Sequence, residues 1–80
     1  MTVTVFGRKN CVQCSATTRR LDKLEIPYTY IDIEQDDKAL DKLLRLGYKQ
    51  VPVVEVGNTH WSGYRVDLIN GLIAHRKDVA

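Results

Sequence analysis

Thr2-Val3-Thr4-Val5-Phe6-Gly7-Arg8-Lys9-Asn10-Cys11-Val12-Gln13-Cys14 decides how the rest of the chain is read. Thr2 to Phe6 alternates polar and apolar residues and is rich in β-branched side chains, the pattern of a strand. Gly7 to Asn10 reads as a loop. The cysteine pair then opens a helix expected from about Val12 to Leu24, with Cys14, Thr17, Leu21 and Leu24 recurring on one face. Pro27 closes that segment, because it disfavours helical geometry at Ile26 and carries no amide proton. Tyr28 to Ile33, aromatic and β-branched, is the next strand. Strand, loop, Cys-x-x-Cys, helix and strand together make a βαβ unit with a thiol pair at the mouth of its helix.

Further along, Gln35-Asp36-Asp37 reads as a helix start, with an aspartate N-cap and negative charge at the positive end of the helix dipole. That helix runs to about Leu46 on Leu40, Leu43 and Leu44, and Gly47 suits the left-handed residue after it. Val51 to Val56 is a third strand, Gly57-Asn58 a turn, and Thr59 to Trp61 the returning strand of a hairpin. Ser62-Gly63 breaks it. A last helix, from about Val66 to His75, carries Val66, Ile69, Leu72 and Ile73. The order βαβαββα predicts an α/β domain, residues 1–80, with a four-stranded mixed sheet flanked by three helices. Val5 and Phe6 fall in a central strand, and the third helix covers the same face as the first.

The chain has 80 residues, 44% hydrophobic and 28% charged. That is the length of one domain, with a core that removes only about 60% of the unfolded surface from water. Its apolar runs are too short for a transmembrane helix, and Met1 to Phe6 lacks the basic and apolar regions of a secretion signal. Twelve basic against ten acidic residues leave a net charge of +2, too balanced to imply nucleic-acid binding. Lys38, Lys42 and Arg45 interleave with Asp37 and Asp41 as a solvated helix face. Two cysteines are too few for a secreted disulfide scaffold, so a cytoplasmic protein is expected.

At a helix N-terminus Cys11 meets unpaired N–H groups and the positive end of the dipole, with Arg8 and Lys9 nearby. These favour the thiolate; a free thiol has a pKa of about 8.5, and such positions bring it to roughly 3.5–7.5. Cys14, one turn further in, is more covered. Cys11 is thus suited to attack a disulfide, and Cys14 to resolve the mixed disulfide by attacking Cys11. The plainer reading is a zinc half-site or an inert pair. Only His60 and His75 remain to complete a zinc set, and neither has the short spacing such sites use. Pro52, inside the apparent strand Val51-Pro52-Val53-Val54, has two readings. It is either an edge-strand proline or a cis proline that turns the Val51 backbone toward the cysteines to pair with an extended substrate.

Cys11-Val12-Gln13-Cys14, Val51-Pro52-Val53-Val54, and Trp61-Ser62-Gly63-Tyr64-Arg65 with Asp67 resemble, in that order, the NrdH-type redoxins, glutaredoxin-like proteins of the thioredoxin-fold superfamily. The resemblance runs from about Thr2 to Ile73. It implies a thioredoxin-like fold and an electron donor to the large subunit of class Ib ribonucleotide reductase. It also implies recharging by thioredoxin reductase, with NADPH as ultimate source and no bound cofactor or metal. Cys11 carries over as nucleophile, Cys14 as resolving thiol, Pro52 as a cis proline, and Trp61 to Arg65 as the family's hydrogen-bonded element near the active site. Val12, Gln13, Val51, Pro52 and Trp61 to Arg65 are the expected partner-binding residues, in a monomer that binds neither membrane nor nucleic acid. Val66 departs from the family, which commonly has proline there; the expected effect is local, with Asp67 left as a possible helix cap.

Two relatives supply the contrast. Ordinary glutaredoxins typically carry Cys-Pro-Tyr-Cys and a Gly-Gly…Asp-Asp glutathione stretch; here Val12-Gln13 and Trp61-Ser62-Gly63-Tyr64 stand in their places. Thioredoxins have a buried aspartate in the strand before the cysteines; this strand has no acid, so solvent or a neighbouring polar group must handle the Cys14 proton. The alternatives to an NrdH-type donor are a glutathione-dependent glutaredoxin and a metal or iron–sulfur scaffold on Cys11 and Cys14. Val12, Pro52, Trp61 and Tyr64 are expected as exposed apolar residues around the thiols, Trp61 semi-exposed. Arg65 is expected in an ion pair within the chain and His60 in solvent. Tyr28 and Tyr30 are expected to pack, and His75-Arg76-Lys77 to form a charged helix end.

Overall fold

A computed structural model describes residues 2–73. Its elements follow the order β1 (Val3–Gly7), α1 (Val12–Lys23), β2 (Thr29–Asp32), α2 (Asp37–Arg45), β3 (Val53–Val56), β4 (Thr59–Ser62) and α3 (Val66–Asn70). The four strands form one sheet in the order β2-β1-β3-β4. β1 pairs parallel with β2, and the β1–β3 and β3–β4 pairs are antiparallel, so the sheet is mixed. Val5 and Phe6 lie in a central strand as expected.

The alternation of β1 divides the core. Val3 and Val5 pack with Leu21, Ile26, Val54, Val56, Trp61, Ile69 and Leu72, which places α1 and α3 on one face. Phe6 points the other way, into a smaller cluster with Ala39, Leu43 and Val53, which seats α2. On α1 the buried residues are Cys14, Thr17 and Leu21, so the sulfur lies on the stripe that holds the helix to the sheet. The Thr17 hydroxyl, fully buried, donates to the Gln13 carbonyl at 2.8 Å and is satisfied there.

Both longer helices end in the same device. Ile26 N–H donates to Leu21 C=O and Glu25 N–H to Asp22 C=O, with Glu25 left-handed at φ 59°. Tyr48 N–H donates to Leu43 C=O and Gly47 N–H to Leu44 C=O, with Gly47 at φ 91°. This paired bonding satisfies the last carbonyls and turns the chain sharply. Thus α1 stops at a left-handed glutamate before Pro27 is reached. Asp36 caps α2, its Oδ1 accepting from Ala39 N–H at 3.0 Å.

Several boundaries differ from the sequence reading. Gly7 belongs to β1 rather than to the loop, and Ser62 to β4, paired with Val53. Tyr28 and Ile33 lie outside β2, and β3 begins at Val53 because Val51-Pro52 forms the lead-in to the strand. On α2 only Leu43 of the three leucines is buried; Leu40 and Leu44 face outward. The last helix, expected to run from Val66 to His75, ends at Asn70 with Gly71 as its C-cap; His75 and the charged run to Lys77 lie outside the described residues.

Candidate functional site

Cys11 is the N-cap of α1, in extended conformation at φ −115°, ψ 108°. Its Sγ accepts from the Cys14 N–H at 3.1 Å, while the Ser15 N–H donates to its carbonyl at 3.1 Å. The sulfur therefore occupies the place of a capping oxygen, where free N–H groups and the helix dipole favour negative charge. No acidic residue stands in the first turn to oppose this. Asn10, left-handed at φ 59°, turns the chain from the Arg8-Lys9 loop into the cap, a conformation that asparagine tolerates.

Cys11 and Cys14 are joined as a disulfide, with Cα atoms 5.2 Å apart. Their surroundings differ: Cys11 is half-buried, whereas Cys14 is only 2% exposed. Val12, between them, is 85% exposed. Among the described residues no group of three or more His, Cys, Asp or Glu is placed to hold a metal ion.

Two further segments close on the pair. The Val51-Pro52 bond is cis, and the Val51 carbonyl oxygen lies 3.9 Å from Cys11 Sγ. Pro52 itself is buried, not on the exposed apolar surface where it was expected. The neighbouring Val51 carbonyl is what faces the sulfur. The Pro52 carbonyl accepts from Gly63 N–H at 2.8 Å, and Gly63 turns there at φ 86°, where a side chain is disfavoured. One residue on, Tyr64 N–H donates to Gln13 Oε1 at 3.1 Å. Gln13 thus ties the cysteine loop to the segment after β4, and Gly63 ties that segment to the cis proline.

Within that segment the side chains divide. Tyr64 is partly exposed and Ser62 exposed beside the site. Trp61 is a correction: it is 8% exposed and part of the α1–α3 core, with no hydrogen-bond partner for its buried Nε1 among the described residues. The β4 alternation decides this, since Trp61 pairs with fully buried Val54 and must point to the same face. Arg65 is exposed. Its Nε and guanidinium NH2 donate to the Asp67 carboxylate at 3.3 and 3.1 Å, the pair within the chain that was expected. That bond holds the Asp67 carboxyl below its usual range. Asp67 is not the cap of α3: Arg65 holds the N-cap position and makes no side-chain cap bond.

The sequence reading missed three features. A groove that reaches Val51 mixes apolar residues, Ile33, Leu40, Leu44 and Tyr48, with the polar side chains of Arg8, Lys49 and Gln50. Separately, Cys14, Ser15, Thr18, Tyr28 and Tyr30 line a cleft. Tyr28 packs against the core as expected, whereas Tyr30 is 42% exposed. His60, exposed on the hairpin, meets Tyr48, whose hydroxyl bonds its Nδ1 with the rings edge-on.

A family model for glutaredoxin matches residues 3–61. The chain is 39% identical over 72 residues to the glutaredoxin-like protein NrdH of Salmonella typhimurium, spanning 90% of this chain and 89% of that protein. It is 30% identical over 63 residues to NrdH of Lactococcus lactis, spanning 79% and 88%. The solved structure of the NrdH-redoxin of Escherichia coli superposes with a TM-score of 0.87 at 38% identity, over 90% of this chain and 95% of that one. Likeness at this identity, along nearly the full length of both partners, goes beyond a shared fold: the chain belongs to the glutaredoxin family, among its NrdH-type thiol–disulfide oxidoreductases.

Proposed function

We propose that the protein is a cytoplasmic, monomeric electron donor to the large subunit of class Ib ribonucleotide reductase, recharged by thioredoxin reductase with NADPH as ultimate source. It works through its own dithiol and needs no bound cofactor. Cys11 thiolate attacks one sulfur of the substrate disulfide. That S–S bond breaks, the departing substrate thiolate takes up a proton, and a mixed disulfide remains on Cys11. Cys14 then loses its proton and attacks Cys11 Sγ; the second substrate thiol leaves, and Cys11–Cys14 forms. Two electrons have passed to the substrate, and thioredoxin reductase returns them by the reverse exchange.

The observation that carries this reading is the bond from Tyr64 N–H to Gln13 Oε1. It ties the backbone of the Trp61 to Arg65 segment at Tyr64 to Gln13, between the two cysteines, and that segment stands in the sequence where a glutathione-using relative carries its glutathione stretch. Two further points support it. The Salmonella relative carries the NrdH name, and the Escherichia coli NrdH-redoxin is described by a thioredoxin-like activity profile.

The test follows NADPH consumption with ribonucleotide reductase as acceptor, using thioredoxin reductase in one arm and glutathione with glutathione reductase in the other. Turnover is expected in the first arm and little in the second. A comparable rate with glutathione would reassign the protein as a glutathione-dependent glutaredoxin. Metal or visible colour in the purified protein would point to a scaffold on the cysteine pair.

A further inference from the structure

Gly7, the Tyr30 phenol and Cys14 meet at one point that the exchange chemistry above leaves unassigned. Gly7 ends β1 opposite Asp32, one residue beyond the Val5–Tyr30 and Phe6–Ile31 pairs. It is not in the left-handed region, so conformation does not call for glycine. Space does. A Cβ there would collide with the Tyr30 hydroxyl, and would lie 2.9 Å from Tyr30 Cζ and 3.1 Å from Cys14 Sγ. The phenol and the sulfur flank the same missing methyl, no further apart than those short distances together allow.

Tyr30 and Cys14 also line one cleft, with Ser15, Thr18 and Tyr28. Among the described residues no carboxylate lines the cleft, and Cys14 is almost fully covered. Its ionisable neighbours are Cys11, Tyr28 and Tyr30, with Asp22 acting on Tyr28 and Asp32 on Tyr30. Burial first, and then Asp32, hold the Tyr30 phenol above its ordinary value of 10.0, so it remains a donor through neutral pH. In the disulfide form that O–H reaches the Arg8 carbonyl at 3.5 Å, the outer limit of a hydrogen bond. It is given up at little cost.

We propose that Tyr30 donates the hydrogen bond that holds Cys14 as a thiolate while the mixed disulfide is resolved, in a seat that only glycine at position 7 leaves open. The proposal rests on Cys14 being the resolving thiol. Cys14 S–H releases its proton to water in the cleft, and the Tyr30 O–H turns from the Arg8 carbonyl to the new thiolate. Cys14 Sγ bonds to Cys11 Sγ, and the bond from Cys11 to the substrate sulfur breaks. The electron pair leaves on the substrate thiolate, which is then protonated. Tyr30 keeps its proton throughout and returns to Arg8.

The test titrates Cys14 as a lone thiol in Cys11→Ser, read from its Cβ shift by NMR. Adding Tyr30→Phe keeps the ring and removes only the hydroxyl. Cys14 is then expected to become about a tenfold weaker acid, the order of one hydrogen bond to a charged group. Gly7→Ala, which displaces the phenol without deleting it, is expected to shift the titration in the same direction. In Cys14→Ser, the titration of Cys11 is expected to stay in place with or without Tyr30→Phe. An unmoved Cys14 titration in Tyr30→Phe, or an equal shift at both cysteines, overturns the proposal. Reduction of a small aromatic disulfide by the parent protein reads the exchange chemistry separately; its failure would remove the dithiol reading and leave the titration result standing.

Discussion

At the scale of single residues, the two sulfurs differ because the helix start treats them differently. Cys11 takes the capping position and receives the Cys14 N–H, whereas Cys14 lies on the buried stripe of α1. A negative charge on Cys11 is met by backbone donors; one on Cys14 is met by a covered cleft. Attack from outside therefore belongs to Cys11. Cys14→Ser is expected to leave a stable mixed disulfide with a substrate on Cys11, seen by mass spectrometry as one adduct per chain, while Cys11→Ser traps none. An adduct on Cys14 in the second variant would invert the assignment. This asymmetry was legible in the sequence, because a Cys-x-x-Cys between a strand and a helix has one outer and one inner member. The Tyr30–Gly7–Cys14 arrangement was not. It depends on the parallel register of β1 with β2, which residue types and periodicity do not specify.

At the scale of elements, the strongly patterned ones were readable and the boundary residues were not. β1, α1 and the Gly57-Asn58 hairpin follow from alternation, helical spacing and turn chemistry. Trp61 was misplaced because Ser62-Gly63 and the family resemblance together suggested a semi-exposed ring, whereas pairing with Val54 turns it into the core. The sequence leaves Asp67 available to cap the last helix, yet its carboxylate is taken by Arg65. That pair has a testable sign. Asp67 is held below its ordinary value of 3.8, so the stability it adds is complete above 3.8 and is lost as pH falls through the lower, folded value. The group is exposed and the effect is accordingly small. Asp67→Asn is expected to melt slightly below the parent at neutral pH, with the gap closing as the solution is acidified below 3.8. A gap that persists in acid would mean that Asp67 acts through packing and not through its charge.

At the scale of the whole molecule, a thin core has to hold a reactive helix still. The sheet has only two central strands, and its α2 face is sealed by the small cluster around Phe6 and Leu43. The α1–α3 face is the larger, and Leu21, fully buried among Val5, Val54 and Ile69, is the side chain through which α1 grips it. Truncating it removes transfer energy and leaves a cavity beneath the helix that carries both sulfurs, at a cost of about 2–5 kcal/mol. Small domains have only about 5–15 kcal/mol of stability in total, so Leu21→Ala takes a large share. Leu44, 57% exposed on α2, supplies the contrast: Leu44→Ala is expected to change stability by no more than about 0.5 kcal/mol. Urea unfolding followed through the chain's single tryptophan, itself buried in the same cluster as Leu21, measures both. The expected result is a much lower midpoint with an unchanged slope for Leu21→Ala, and a midpoint near the parent's for Leu44→Ala. Similar midpoints for the two variants would mean that α1 is held chiefly by its caps, and that the sulfurs ride on an element the core does not anchor.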